Sequence, residues 1–414
     1  MTRGCDAFSP PKQMLSFDEA VAALVTAVAP VEAIEMVSLF DAPGRVLARD
    51  VVAQRTVPPA DNSAVDGYAV RAADLIVPEV RLPIGGRVAA GQMLGRPVQA
   101  GEALRIFTGA PIPEGADTVV MQEACRVEDG GVWLPAIEKG ANVRPAAEDF
   151  CEGDVILSAG KRLLPQDAGH AASAGHAVLP VYRRPRVALF ATGDEVREPG
   201  NSAEPGTIVN SNSYVLHGLL RRLGCEPVYL GIIKDRPDLL KQALSGAADD
   251  GVDAILTTGG VSVGEEDHVK AVVEALGALH FWRIAIRPGR PLAFGRVGAV
   301  PFIGLPGNPV AAMVTFLMFA RPMLLRLAGC RTDNPRRYPV AADFSFSKKA
   351  GRREWLRGHL VQRDGRLRAE RFPKEGSGIF TSVVASTGLI ELPEEMGPVR
   401  PGDMVDFLPF SEVI

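Results

Sequence analysis

Between Pro185 and Gly329 the chain alternates short apolar runs with amphipathic stretches, and few folds accept that alternation. The apolar runs are Arg186–Ala191, Val228–Ile233, Ala254–Thr258, Leu279–Ala285 and Pro301–Leu305. Helical spacing lies between and after them. Val215, Leu216, Leu219, Leu220 and Leu223 share one face of Ser211–Leu223, with Gly224 as its stop. Pro237–Ala248 follows, and in Glu265–Leu276 the residues Val269, Val272, Val273 and Leu276 fall at i, i+3, i+4 and i+7 before Gly277. The apolar Val310–Leu327 closes the series. Strands alternating with helices imply a parallel sheet covered on both faces, a doubly wound α/β domain over 185–330.

The remainder of the 414 residues has other textures. Ser16-Phe17-Asp18-Glu19 is a capping box, and Phe17, Val21, Leu24, Val25 and Val28 then repeat at helical spacing. Leu39–Ala48 is expected to form a second short helix, and Arg162–Ala177 a third. From Val51 to Val143 short apolar runs alternate with Gly and Pro, which reads as β structure. The expected organisation is a composite helical domain (14–52 and 144–184), an inserted β-rich domain (53–143), the α/β domain, and a C-terminal β domain (331–414). Within Arg331–Arg371 twelve Lys/Arg face five Asp/Glu, a local charge of +7 in a chain of net charge −4.

Several classes are disfavoured. The mild net negative charge argues against a nucleic-acid partner. The five cysteines are widely spaced and contain no Cys-x-x-Cys pair, and no His-Glu-x-x-His spacing exists. The apolar run Pro309–Ala320 is stopped by Arg321, short of the roughly 20 residues a bilayer needs. Met1–Gln13 lacks the apolar core of a signal peptide. A cytoplasmic protein with no membrane partner is expected.

Thr257–Asp267 (TTGGVSVGEED) carries the most chemistry. A strand ends, Gly259, Gly260 and Gly264 permit a tight turn, and a helix begins with Ser262 beside it. Amides at such a helix start attract anions, usually phosphate. Asp267 then suits Mg²⁺ bridging phosphates, since Mg²⁺ takes one or two carboxylates and leaves its other positions to phosphate and water. A plain βα turn with helix-capping acids fits the same residues. Two similar loops follow strands: Ala191-Thr192-Gly193-Asp194-Glu195, leading to Asn212, and Gly304–Val310 (GLPGNPV), with Pro306, Gly307 and Pro309. All three would emerge at the carboxyl edge of the sheet, where doubly wound folds bind ligands. Asn212 alone also reads as a helix N-cap. Arg287 and Arg290, in Arg287–Pro291 (RPGRP), offer two cations to an oxyanion, or two solvated surface arginines. Upstream, Asp61 and Asp66 in Asp61–Val70 (DNSAVDGYAV) suit metal or proton chemistry, or an Asx-capped turn.

Seven segments occur in one order: 61–70, 107–123, 144–150, 191–195, 259–267, 287–291 and 304–310. This series resembles the molybdopterin molybdenumtransferase family, to which the E-domain of gephyrin belongs, and the resemblance spans nearly the whole chain. It implies the four-part fold above and a homodimer whose active site lies between one subunit's α/β domain and its partner's other domains. It implies that adenylylated molybdopterin plus molybdate gives molybdenum cofactor plus AMP, with Mg²⁺. Carried over by motif, Asp66 and Thr108 lie on the partner-facing side, and Asp149, Glu195, Asp235 and Asp267 are functional acids. Glu195 and Asp267 are the implied metal ligands. Asn212, Gly259, Gly260, Ser262, Gly264, Pro306, Gly307 and Pro309 line the substrate. Arg287, Arg290, Arg357 and Ser377 contact the oxyanion. The family usually has lysine where Arg290 stands, often also at Arg287, and commonly tyrosine at His268. Two rival readings are a molybdopterin adenylyltransferase, which resembles the α/β domain alone, and a non-catalytic dimeric scaffold. The molybdenumtransferase resemblance also implies handover of substrate from the adenylylating enzyme.

Overall fold

In the central strand Arg186–Thr192, Val187 and Leu189 face one side of the sheet, and Ala188 and Phe190 face the other. Each side chain is fully buried, as expected of a strand covered on both faces. The computed structural model describes residues 14–200, 204–261, 268–289, 291–331 and 334–414. The sheet order is Glu226–Ile233, Arg186–Thr192, Ala254–Thr258, Val300–Leu305, Pro291–Val297, Gly277–Arg283. The first four strands pair in parallel, and Pro291–Val297 runs antiparallel to both of its neighbours, so the sheet is mixed. The strand Pro291–Val297 is absent from the sequence reading. It begins at a proline and contains Gly295, both poor strand signals. The Asn212–Leu223 helix covers one face; Pro237–Asp249 and His268–Leu276 cover the other.

On the first face also lies the continuous helical stretch Pro309–Leu327, 19 residues long. Its five residues Phe316–Ala320 are wound as a π-helix. Pro322 follows, which has no N–H to give a carbonyl one turn earlier, and such a break favours local rewinding. The stretch is long and apolar enough to cross a membrane by length and composition, but 89% of its most apolar window is buried inside this chain. Arg321 does not stop it; that residue is itself buried and donates to the Glu412 carbonyl at 3.3 Å.

The capping box at Ser16 is present in full, and the helix it opens, Phe17–Thr26, packs against this long helix. Phe17 meets Phe319 edge-on at 5.3 Å and Trp355 at 5.2 Å. Leu39–Ala48 is not a helix. Pro43 and Gly44, the latter at φ +82°, break it into turns with bridges Val46 to Arg162 and Leu47 to Val181. The downstream helix covers Pro165–Ser173. Three antiparallel ribbons join the early and late parts of this lobe: Ile34–Ser38 with Val178–Tyr182, Val51–Val52 with Val155–Leu157, and Asn62–Ser63 with Val143–Arg144. Between the last pair sits a six-stranded sheet with its own core.

The C-terminal segment forms another six-stranded sheet, closed by pairing of Arg353–Arg363 with Gly388–Leu392. The α/β segment lends it a strand: Ile286–Arg287 runs parallel to Arg353 and Glu354. That pairing fixes Arg287 against the C-terminal segment. Phe319→Ala, which would empty a fully buried site against Phe17, is expected to cost about 3–5 kcal/mol in urea unfolding.

Candidate active site

The chain leaves the central strand toward Glu226–Ile233 on one side and later returns to Ala254–Thr258 on the other. The strand order therefore reverses at the carboxyl ends of Arg186–Thr192 and Ala254–Thr258, where loops diverge and leave a crevice. A cavity of about 770 Å³ fills that crevice, lined by Gly193, Glu195, Asn212, Asp235, Gly259, Gly260, Pro306, Gly307 and Pro309, among others. The three glycine-containing loops thus converge as expected.

Asn212 ties two of those loops. Its Nδ2 donates to Thr258 Oγ1 and to the Gly307 carbonyl, each at 2.8 Å, and Thr258 Oγ1 donates to the Pro306 carbonyl at 3.1 Å. Asn212 is therefore a clamp within the first helical turn, not the N-cap. The capping contact comes from Asn210, whose Oδ1 accepts from the Ser213 amide at 3.2 Å. Gly259 has φ +87°, and its N–H donates to the Leu305 carbonyl at 3.1 Å, so that amide is not available to a phosphate. A Cβ at Gly260, φ +64°, would lie 2.4 Å from Thr192 Cγ2 and 2.7 Å from Val269 Cγ2. The turn needs glycine for close packing as well as for conformation. Ser262, Gly264, Asp267 and Arg290 lie outside the described residues.

Two acids face this cavity. Asp235 accepts a short hydrogen bond from Thr192 Oγ1, and its amide donates to Asp194 Oδ1 at 3.3 Å. Glu195 is exposed at the rim, and no described residue hydrogen-bonds its carboxylate. Among the described residues no group of three metal-ligating side chains exists. One or two carboxylates beside an anion site fit Mg²⁺, which draws its other ligands from phosphate and water, and do not fit an all-protein metal cage.

A smaller cavity of about 350 Å³ adjoins the first, sharing Gly289 and Ser377 with it. Arg287, Arg352 and Arg357 line it with Glu354 and Glu375. Arg357 is only 7% exposed; its Nε donates to Ser382 Oγ at 3.0 Å and its Nη2 to the Gly376 carbonyl at 3.3 Å. Burial, and then the nearby Arg287 guanidinium, hold Arg357 below the usual arginine pKa. An anion entering here would relieve that cation. Glu354 is fully buried and accepts from Arg352 Nε at 2.6 Å, while its Oε2 lies 3.5 Å from Arg287 Nη1. Ser377 contributes its carbonyl to the Val310 amide at 2.9 Å, which seats the start of the long helix beside both cavities.

The upstream motifs form a separate cluster. Asp66 Oδ1 accepts from the Thr108 amide and hydroxyl, both at 2.8 Å, and those bonds, backbone first, lower its pKa. Asp61 Oδ1 accepts from the Ala146 amide at 2.8 Å, so the 61–70, 107–123 and 144–150 segments meet. Asp149 is exposed beside them. None of Asp66, Thr108 and Asp149 lines either cavity. Sequence reasoning missed Arg352, Glu354 and Glu375 in the smaller cavity, and Arg105, whose guanidinium lies over Phe107 at 5.0 Å near Asp66. The +7 stretch pointed to the C-terminal arginines only as a group.

A doubly wound sheet with a crevice at its switch point, adjoined by an arginine-lined cavity that the C-terminal β segment helps to build, defines a multidomain α/β protein with a candidate ligand site between its segments. Comparison specifies the family. Residues 15–175 match the MoeA N-terminal region (domain I and II), 188–326 the probable molybdopterin binding domain, and 339–410 the MoeA C-terminal region (domain IV). A molybdopterin molybdenumtransferase of Haemophilus influenzae is 36% identical over 405 residues, covering 97% of this chain and 100% of that one. One from Bacillus subtilis is 34% identical over 369 residues, 87% of this chain and 86% of that one. The crystal structure of a molybdopterin biosynthesis moeA protein from Pyrococcus horikoshii OT3 superimposes with a TM-score of 0.81 at 31% identity, covering 96% and 100% of the two chains. The chain belongs to the MoeA, or molybdopterin molybdenumtransferase, family.

Two outcomes follow from this geometry. Asn212→Ala removes two hydrogen bonds between loops and is expected to destabilise the protein by about 1–2 kcal/mol in urea unfolding. Asp66 has a lowered folded pKa, so the stability it adds is complete above the ordinary carboxylate pKa and is lost as pH falls through the folded value. A carbon-13 NMR titration should place Asp66 below an ordinary aspartate, and Thr108→Val should move it back up.

Proposed function

We propose that this protein inserts molybdenum into adenylylated molybdopterin, using molybdate and releasing AMP. The observation that carries the reading is the pair of adjoining cavities: one at the switch point for an extended phosphorylated ligand, one lined by arginines for a tetrahedral oxyanion. Asn212 holds the Thr258 and Gly307 loops in register for the nucleotide half. Arg287 and Arg357 hold molybdate near Gly289 and Ser377, the residues that line both cavities, so the oxyanion lies beside the end of the crevice that takes the pterin. Glu195 and Asp235 face the phosphates, with Asp267 the third acid in the motif. Mg²⁺ held there would neutralise the pyrophosphate and orient the bond to be broken.

The basic cavity favours insertion over adenylylation, because the C-terminal segment builds it and an adenylylating α/β domain has no need of it. A scaffold gains nothing from a buried arginine whose charge is partly uncompensated.

A homodimer completes the reading. Asp66, Thr108 and Asp149 stand apart from both cavities in one chain, as residues contributed to a partner's site would. Ile34 and Met36 on one ribbon face, Val178 opposite Ser38 on the paired strand, and Phe40, 98% exposed, offer a second copy an apolar surface. Cys125, Cys151 and Cys225 are free thiols, which suits the cytoplasm. The adenylylating enzyme would supply the substrate.

The test is incubation with adenylylated molybdopterin, molybdate and Mg²⁺, following AMP release and bound molybdenum together. Wild type should produce both in equal amounts. Arg357→Ala should raise the molybdate concentration needed at least about tenfold, the loss of a charge-assisted contact. ATP consumption with free molybdopterin would instead favour adenylylation. Light scattering should give a mass near twice the 44.0 kDa of one chain, and Met36→Asp with Phe40→Asp should shift it toward one.

A further inference from the structure

One wall of the larger cavity belongs to none of the three glycine-containing turns. Val196–Arg197 and Ile208–Val209 form a two-stranded parallel ribbon, with Val196 paired to Ile208. Paired residues of neighbouring strands project from the same face, and both residues line the cavity. Ile208 is 56% exposed there. An exposed apolar face, in a cavity that also presents glycines, hydroxyls, amides and acids, suits a flat heterocycle better than a phosphate.

Among the described residues this ribbon pairs with no other strand, and side chains anchor it. Glu198, next to it, accepts from Tyr229 Oη at 2.6 Å through Oε1 and from Tyr214 Oη at 3.0 Å through Oε2. Tyr214 belongs to the Asn212–Leu223 helix and Tyr229 to the edge strand Glu226–Ile233. Tyr229 Oη in turn accepts from Asn210 Nδ2 at 3.0 Å, and Asn210 caps the helix that carries Asn212. The anchor therefore connects the apolar face to the loop that clamps the switch point. Both tyrosine hydroxyls have raised pKa values, Tyr229 by burial first and Tyr214 by its bond to Glu198, so both remain donors at neutral pH.

We infer that the Val196–Ile208 face is the subsite for the purine base of the adenylylated ligand, and that Glu198 is its positioning residue, acting through Tyr214 and Tyr229. The inference rests on the proposed function for the identity of the nucleotide. It adds that affinity for the nucleotide half comes in part from the base, and that the base is read by an apolar face held in place by one carboxylate.

Equilibrium binding of AMP and of ribose 5-phosphate, which lacks the base, tests this without the pterin. Wild type should bind AMP at least about tenfold more tightly, on the scale of burying one heterocycle against aliphatic side chains. Ile208→Asp, at an exposed position, should abolish that preference while leaving ribose 5-phosphate affinity and the unfolding midpoint unchanged. Glu198→Ala should reduce the AMP preference severalfold, raising KM for the adenylylated substrate without lowering kcat. Equal affinity for the two ligands in wild type, or an AMP preference untouched by Ile208→Asp, would overturn the subsite. Those results would leave the proposed reaction standing if AMP release still followed molybdate. Absence of molybdate-dependent release with the AMP preference intact would defeat the reaction and leave the base subsite in place.

Discussion

The long helix Pro309–Leu327 is buried on all sides, and most other features of the molecule depend on what buries it. One side lies on the α/β sheet, against Leu256, Phe294 and Ile303. Another takes Phe17, Ala20 and Leu24 of the first helix, and a third meets Trp355 and Leu408 of the C-terminal segment. Residues nearly 400 positions apart in sequence thus share one core. Apolar burial of this kind is non-directional, but here it has a directional result. It brings the C-terminal β sheet beside the carboxyl edge of the α/β sheet, and the start of the same helix, at Pro309 and Ala311, lines the larger cavity.

The two cavities are products of that arrangement. The larger arises wherever a doubly wound sheet reverses its strand order. The smaller requires the C-terminal segment, and Ile286–Arg287 crosses into that segment's sheet as an added parallel strand. Arg287 is thereby set by backbone pairing, while Glu354 and Glu375 hold its guanidinium by charge. A cation fixed on both backbone and side chain loses little freedom when an anion arrives, which is the condition for a preorganised oxyanion site.

Periodicity alone located most of the α/β segment. Strand Ala254–Thr258 falls where its apolar run does, and Gly224 ends its helix in the left-handed conformation that glycine there implies. The failures have physical causes. Pro291–Val297 begins with a residue that avoids strand interiors, and it is tolerated where antiparallel pairing takes over at the sheet's far side. Leu39–Ala48 has helix-like apolar spacing, but Pro43-Gly44 and long-range bridges decide its path. The first helix has a complete local signal, yet the long helix it packs against lies some 300 residues away, so no local pattern could show that contact. In the site, the loops with glycine and proline were readable because backbone geometry demands those residues. Glu198, Tyr214, Tyr229 and Glu354 were not, since their roles exist only as pairings across long sequence gaps.

The central claim is that the arginine-lined cavity next to Gly289 and Ser377 receives the oxyanion while the switch-point crevice holds the nucleotide-bearing ligand. Tungstate, a heavier tetrahedral oxyanion of the same charge, makes this directly visible by anomalous X-ray scattering from crystals grown with it and AMP. One tungsten peak is expected within hydrogen-bonding reach of the Arg287 and Arg357 guanidinium groups, with AMP density in the adjoining crevice. Tungsten found only on the exposed basic surface of residues 331–371, with the smaller cavity empty, would contradict it.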